Sequence, residues 1–246
     1  MVQHIIAIAS SYRLGKRIAW HYTADVICKD VLTELRDKTD RLLGRPDYVI
    51  HKLTTDSKDW SSVVNKDSFF ADLEVYDSLD DFLQVVAADK EITALDIAKY
   101  LLSVLPMSNL KLQKMIYLVY ADYLTKTGKR LFEDKIIAMQ YGPVIPTVYD
   151  NYKGNGKEEI AEASDDKTDV HLDGITVPLT LAKMLQADDN QTILASIKAT
   201  LEIFGKKSAG QLVDITHRAE SPWSQVRLFD EITDNIILKY HNIELV

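Results

Sequence analysis

TALDIAKYLLSVLPMSNLKLQKMIYLVYADY, residues 93–123, decides how the fold is read. Thr93 is followed three positions later by Asp96, a hydroxyl and a carboxylate able to satisfy the first free backbone N–H groups of a helix. Ile92 and Ile97 bracket that start as a hydrophobic staple. Ile97, Leu101, Leu102 and Leu105 then form one stripe, and Pro106 ends the helix by removing a donor and fixing φ. Ser108 or Asn109 opens a second helix, on which Leu112, Met115, Ile116, Val119 and Tyr123 keep helical spacing. Two capped amphipathic helices in succession predict a helical domain.

The same grammar continues downstream. Helices are expected near Pro146, near Pro178 and at Asn190, the last carrying Ile193, Leu194, Ile197 and Leu201 up to Gly205. Ser208 with Gln211 is a capping box, and Ser221-Pro222 reads as a cap with proline in the first turn of a helix. A final helix is expected from about Glu231 to Tyr240. Residues 151–174 interrupt the order with three glycines and, between Lys157 and Asp173, seven acids against two lysines. That is a solvated loop, with room for a short hairpin over Val170–Val177.

Upstream of residue 92 the pattern is different. Val2–Ser11 reads as a strand, Leu14-Gly15-Lys16 as a turn, and Arg17–Tyr22 as a second strand. Thr23 is expected to cap a helix to about Leu43, carrying Ile27, Val31, Leu32, Leu35 and Leu42, with Gly44 past its end and Pro46 beyond. Tyr48–Leu53 and Asp72–Tyr76 read as strands. Asp77 or Ser78 caps a short helix through Leu79, Phe82, Leu83 and Val86. The expected fold class is therefore α+β: a small α+β unit over residues 1–90 and a mainly helical domain over 91–246.

Composition bounds the function. A chain of 246 residues, 46% hydrophobic and 27% charged, can bury a core as one large or two small domains. The single cysteine, Cys28, excludes a disulfide framework and is expected as a buried thiol on its helix. A net charge of −8 argues against nucleic acid as a partner. No run approaches the roughly 20 apolar residues of a membrane span, and the apolar start is followed rather than preceded by Arg13, Lys16 and Arg17. A cytoplasmic protein is expected.

Charge is uneven within the first unit. Residues 1–52 hold nine Lys/Arg and six Asp/Glu, whereas residues 53–91 hold three and ten. Within that acidic stretch Asp72, Glu74, Asp77, Asp80 and Asp81 are candidates for meeting a basic partner surface, against the simpler reading of a solvated face.

Catalytic constellations are not visible. The histidines His4, His21, His51, His171, His217 and His241 have no metal-ligand spacing. Gly154-Asn155-Gly156 lacks the lysine and the strand–helix context of a phosphate loop. The outline of a helix-turn-helix over residues 205–218 offers one arginine, Arg218, and reads as two packed helices. The expectation is a protein without enzymatic activity, metal or cofactor.

Two phrases stand apart. Residues 138–149, AMQYGPVIPTVY, use two prolines and a glycine to force an extended corner into a helix, with Tyr141, Val144, Val148 and Tyr149 around it. Residues 216–223, THRAESPW, end one helix and open the next at Trp223. Together with Lys111-Leu112-Gln113-Lys114-Met115-Ile116-Tyr117, these blocks resemble the signature of the Panacea domain, a SocA-like, phage-associated antitoxin family. The similarity covers roughly Thr93 to Gln225; where that family often has a tryptophan before the Tyr-Gly-Pro corner, this chain has Gln140.

The resemblance implies a non-enzymatic helical domain that neutralises a cognate protein toxin, encoded next to it, by direct binding. It marks Lys111, Gln113, Tyr141, Pro143, Pro146, Tyr149, His217 and Trp223 as motif and candidate partner-binding residues. Because family members share this domain but face unrelated toxins, the N-terminal unit is the candidate for toxin specificity. The alternative is a phage or mobile-element accessory protein of the same fold that inhibits a host defence or acts as a proteolytic adaptor.

Overall fold

A computed structural model of the chain describes residues 1–11, 13–160, 169–172 and 175–245. The backbone separates into two compact units, Met1–Glu91 and Ile92–Val246, with a sheet in the first and mainly helices in the second. The fold class is α+β.

In the first unit β1 (Val2–Ser11) and β2 (Lys16–Ala24) form a hairpin, followed by α1 (Lys29–Leu42), β3 (Val49–Thr55), α2 (Trp60–Lys66), β4 (Glu74–Tyr76) and α3 (Leu79–Lys90). The sheet order is β3-β1-β2-β4, antiparallel except for the β2–β4 pair. β1 lies inside the sheet and buries both faces, which explains its nearly continuous apolar run. Ile5, Ala7 and Ala9 meet Leu35, Phe82, Leu83 and Val86 of α1 and α3 on one face. Ile6 and Ile8 meet Val63, Phe70 and Leu73 on the other. Period-2 alternation thus feeds two cores.

Three expectations for this unit are corrected. Thr23 caps no helix: it stays in β2 opposite His4, because the ten-residue β1 pairs with residues 16–24 and holds them extended. The helix starts at Lys29 with Cys28 as its N-cap residue, and the Cys28 thiol is exposed rather than buried. α1 buries only a narrow stripe; Leu35 lies in the core, while Leu32 and Leu42 are exposed. The sequence reading also passed over α2.

The second unit runs α4 (Ala94–Val104), β5 (Met107–Ser108), α5 (Asn109–Thr127), β6 (Ile137–Met139), β7 (Gly142–Val144), α6 (Pro146–Tyr152) and β8 (Glu159–Ile160). The hairpin strands β9 (Asp169–Leu172) and β10 (Ile175–Pro178) follow, with Val170 opposite Val177 as expected. α7 (Leu179–Gln186), α8 (Asn190–Phe204), α9 (Ala209–Thr216) and α10 (Asp234–Tyr240) complete it. Both expected capping boxes form, Thr93 with Asp96 and Ser208 with Gln211. The rest of the expected acidic loop, residues 161–168 and 173–174, lies outside the described residues.

α5 is the axis of this unit. Every residue from Leu112 to Ala121 is buried, and α4, α6, α8, α9 and α10 pack around it. The neighbours cover it on nearly every side, including the polar Gln113 and Lys114. Two later expectations shift. Ser221-Pro222 opens only a 3₁₀ turn, Pro222–Gln225. The last helix begins at Asp234 rather than near Glu231, because residues 229–232 bond to β6 and its approach: Phe229 N–H to Ala138 O at 2.7 Å and Ile232 N–H to Ile136 O at 2.8 Å.

Candidate functional site

The three sequence blocks converge at the turn between β6 and α6, and the contacts joining them are mostly side chain to backbone. α5 supplies two neighbours that the corner needs. Gln113 Oε1 accepts the Ile145 N–H at 2.8 Å, while its Nε2 donates to Asn109 Oδ1 at 3.1 Å. Lys114 Nζ donates to the Pro143 carbonyl at 2.7 Å. Proline-rich corners leave carbonyls without ladder partners, and buried ones must find donors.

The 216–223 block closes the other side. Trp223 Nε1–H donates to Met139 O at 2.9 Å, and His217 Nε2 lies 3.2 Å from Gln140 O with Nδ1 2.7 Å from Val213 O. The His217 and Trp223 rings are 3.8 Å apart. Ser221 Oγ–H donates to Thr216 O at 2.7 Å, pinning the turn. Gly142 is fixed by space and by conformation: its φ is +98°, and a Cβ there would lie 2.6 Å from Thr216 Oγ1 and 3.0 Å from Lys114 Cε. Only glycine fits.

Each motif residue therefore has a place. Gln113 and Pro143 are buried, Pro146 sits in the first turn of α6, and Lys111 Nζ donates to Gly205 O at 2.7 Å. His217 and Trp223 are half-buried, Trp223 packing on the main core. Tyr141 and Tyr149 differ, with 58% and 47% of their surface exposed. The block thus divides into internal braces and two outward aromatic rings. Gln140 meets His217 through its backbone carbonyl, so that contact does not depend on the side chain at 140.

Lys114 was missed as a site residue. Its side chain is fully buried and, among the described residues, has no carboxylate partner. Desolvation brings its ammonium down from 10.5 to about 7. Spacing gave no signal: Lys111, Gln113 and Lys114 read as the polar side of an amphipathic helix, and only the packing of neighbouring elements covers that side. Further along α5, Tyr117, Tyr120 and Tyr123 donate hydroxyls to Glu244, Asp234 and Asp189 at 2.9, 2.6 and 3.1 Å. Burial raises the Glu244 carboxyl above its ordinary value, and His241 Nδ1 lies 2.7 Å from it.

The acidic candidates lie in the first unit. Asp72, Asp77, Asp80 and Asp81 are exposed and Glu74 is half-buried. Two are already engaged: Glu74 pairs with Lys16 and is held below its usual carboxylate range by that contact, and Asp80 pairs with Lys38 at 2.9 Å. No group of three or more His, Cys, Asp and Glu among the described residues is arranged to hold a metal ion. No helix among them is long and apolar enough to cross a membrane.

Residues 112–224 match the family model of the antitoxin SocA-like Panacea domain. That stretch is similar to the SocA-like Panacea domain. The matched stretch contains α5 from Leu112 onward, the Tyr141–Tyr149 corner and Trp223, parts that meet in space. The chain is also similar to antitoxin SocA of Caulobacter vibrioides (strain NA1000 / CB15N), 31% identical over 122 residues. That alignment takes in 50% of this chain and spans 61% of the relative's length. No solved structure matches.

Proposed function

We propose that the protein is the antitoxin of a toxin–antitoxin pair and neutralises a cognate protein toxin, encoded beside it, by direct binding. The observation that carries this reading is the match of residues 112–224 to an antitoxin family across the whole assembled corner. The internal braces account for Gln113, Pro143, His217 and Trp223 as architecture. Tyr141 and Tyr149 are the motif residues left facing outward, and exposed aromatic rings on a rigid corner suit a protein contact. The role is one of binding, without catalysis or cofactor, in the cytoplasm. Toxin choice belongs in part to residues 1–90, where Asp72, Asp77 and Asp81, without an ion-pair partner among the described residues, would steer a basic surface.

The test is co-expression with each neighbouring reading frame, read as growth, co-purification and toxin level. A frame that arrests growth alone and is rescued as a stable complex supports the proposal. Rescue with a falling toxin level and no stable complex replaces it with proteolytic delivery. Absence of any toxic neighbour overturns it.

A further inference from the structure

In the first unit β3 is the outer strand of the sheet and, among the described residues, pairs with β1 alone. It is seven residues long, whereas β4 at the opposite edge has three. Long apolar edges are normally shortened, charged or covered, since their free backbone groups recruit other strands. Lys66 Nζ donates to the Thr54 carbonyl at 2.5 Å, which caps one such group and shows that Thr54 turns away from β1. Backbone groups alternate sides along an antiparallel strand. Ile50 and Lys52 therefore also direct their N–H and C=O to the free edge.

A groove of about 570 Å³ lies beside that edge, between β3 and α1, lined by Leu32, Leu35, Thr39, Tyr48, Val49 and Ile50. Its rim is mostly apolar and open, with Leu32, Val49 and Ile50 exposed by 42%, 63% and 48%, and the exposed Arg36 and Asp40 also line it. Its floor is braced by the 2.5 Å bond between Thr39 Oγ1 and the Tyr48 hydroxyl. Ile50 stands opposite Ala7 and Lys52 opposite Ile5, so both side chains lie on the α1 side of the sheet. Lys52 is exposed and has no carboxylate partner among the described residues.

We propose that the first unit captures an extended segment of a partner protein as an added strand on β3. The segment carries an aliphatic side chain opposite Ile50, seated in the groove, and an acidic side chain two positions away opposite Lys52. Backbone bonds give such strand addition its affinity, and alternate side chains give it specificity. A second copy of the chain fits worse, because a register using these backbone groups sets Lys52 beside or diagonal to its own copy. The inference does not depend on the antitoxin reading; the segment is recognised whichever protein carries it.

The experiment pans a random nine-residue phage-displayed peptide library on the full chain and measures enriched peptides by fluorescence anisotropy. Enriched sequences should pair an aliphatic with an acidic residue two positions apart. N-methylation of single peptide amides should weaken binding tenfold or more at alternate positions and leave intermediate ones unchanged. Lys52→Glu should cost a similar factor. The probe, not the protein, carries the methyl groups, so loss of folding cannot mimic that result. Failure to enrich peptides, enrichment without that pairing, or indifference to N-methylation overturns the proposal. Concentration-dependent dimers abolished by Lys52→Glu would assign the edge to a second copy and overturn it as well.

Discussion

Replacing Lys114 by Met should make the protein more stable at neutral pH. The buried ammonium is brought down from 10.5 to about 7 by desolvation, with one carbonyl as its partner. At about 1.4 kcal/mol per tenfold change in proton affinity, that burial costs the folded state about 4–5 kcal/mol at pH 7. Met has nearly the same length and volume and needs no partner. Its introduction leaves the Pro143 carbonyl without a donor, a loss of about 1–3 kcal/mol. The net gain at pH 7 is about 2 kcal/mol. The folded-state value lies below the unfolded one, so the burden is absent above about pH 10.5, grows as pH falls and is constant below about pH 7. Urea unfolding of parent and variant at pH 7 and pH 10 reads this directly. Lys114→Met should have the higher midpoint at pH 7 and lose the advantage by pH 10. Equal destabilisation at both pH values would refute the burial of an unpaired cation.

Gly142→Ala should destabilise by about 3 kcal/mol, since it combines a left-handed φ with a clash at Thr216 Oγ1, and thermal melting checks it. Trp223→Ala should cost about 3 kcal/mol by the same assay, through lost core contact and an orphaned Met139 carbonyl. Tyr141→Ala and Tyr149→Ala should stay within about 0.5 kcal/mol of the parent in melting while weakening rescue of growth against the toxin. In the first unit, burial and the neighbouring His4 hold the His21 imidazole down at about 4. Its neutral form is the folded one, so that unit should lose about 2 kcal/mol, allowing for the ring's partial exposure, as pH falls from 6.5 to 4. Urea midpoints at pH 7 and pH 4.5 should show it, and His21→Phe should flatten the slope.

Where local chemistry and tertiary packing agree, the sequence is legible. Thr93–Asp96 and Ser208–Gln211 close their own helices with side chains three residues apart, so their boxes need no distant partner. Pro143 and Pro146 force the corner in the same local way. Thr23 fails because a cap preference near 1 kcal/mol competes with pairing along the whole of β1. α2 escaped because seven residues with two adjacent valines show neither a clear stripe nor good helix propensity. Ser221-Pro222 starts a turn correctly, but Phe229 to Ile232 are drawn to β6 and leave no room for a longer helix. At the site, the motif residues were visible as a set, but their division into braces and exposed rings was not. Spacing reports which residues share a face and not which face another chain segment covers.

The three tyrosine hydroxyls of α5 also fix where the folding unit ends. Two of their acceptors, Asp234 and Glu244, lie beyond residue 224, the last position of the family match. α10 and the turn after it are therefore staves of the same wall around α5, although they lie outside the family match. The family match ends some twenty residues before the packed unit does. A polypeptide trimmed to the recognisable family segment would bare the flank of its own central helix and leave two phenols without acceptors. Grafting this domain onto another protein means carrying the chain through Leu245.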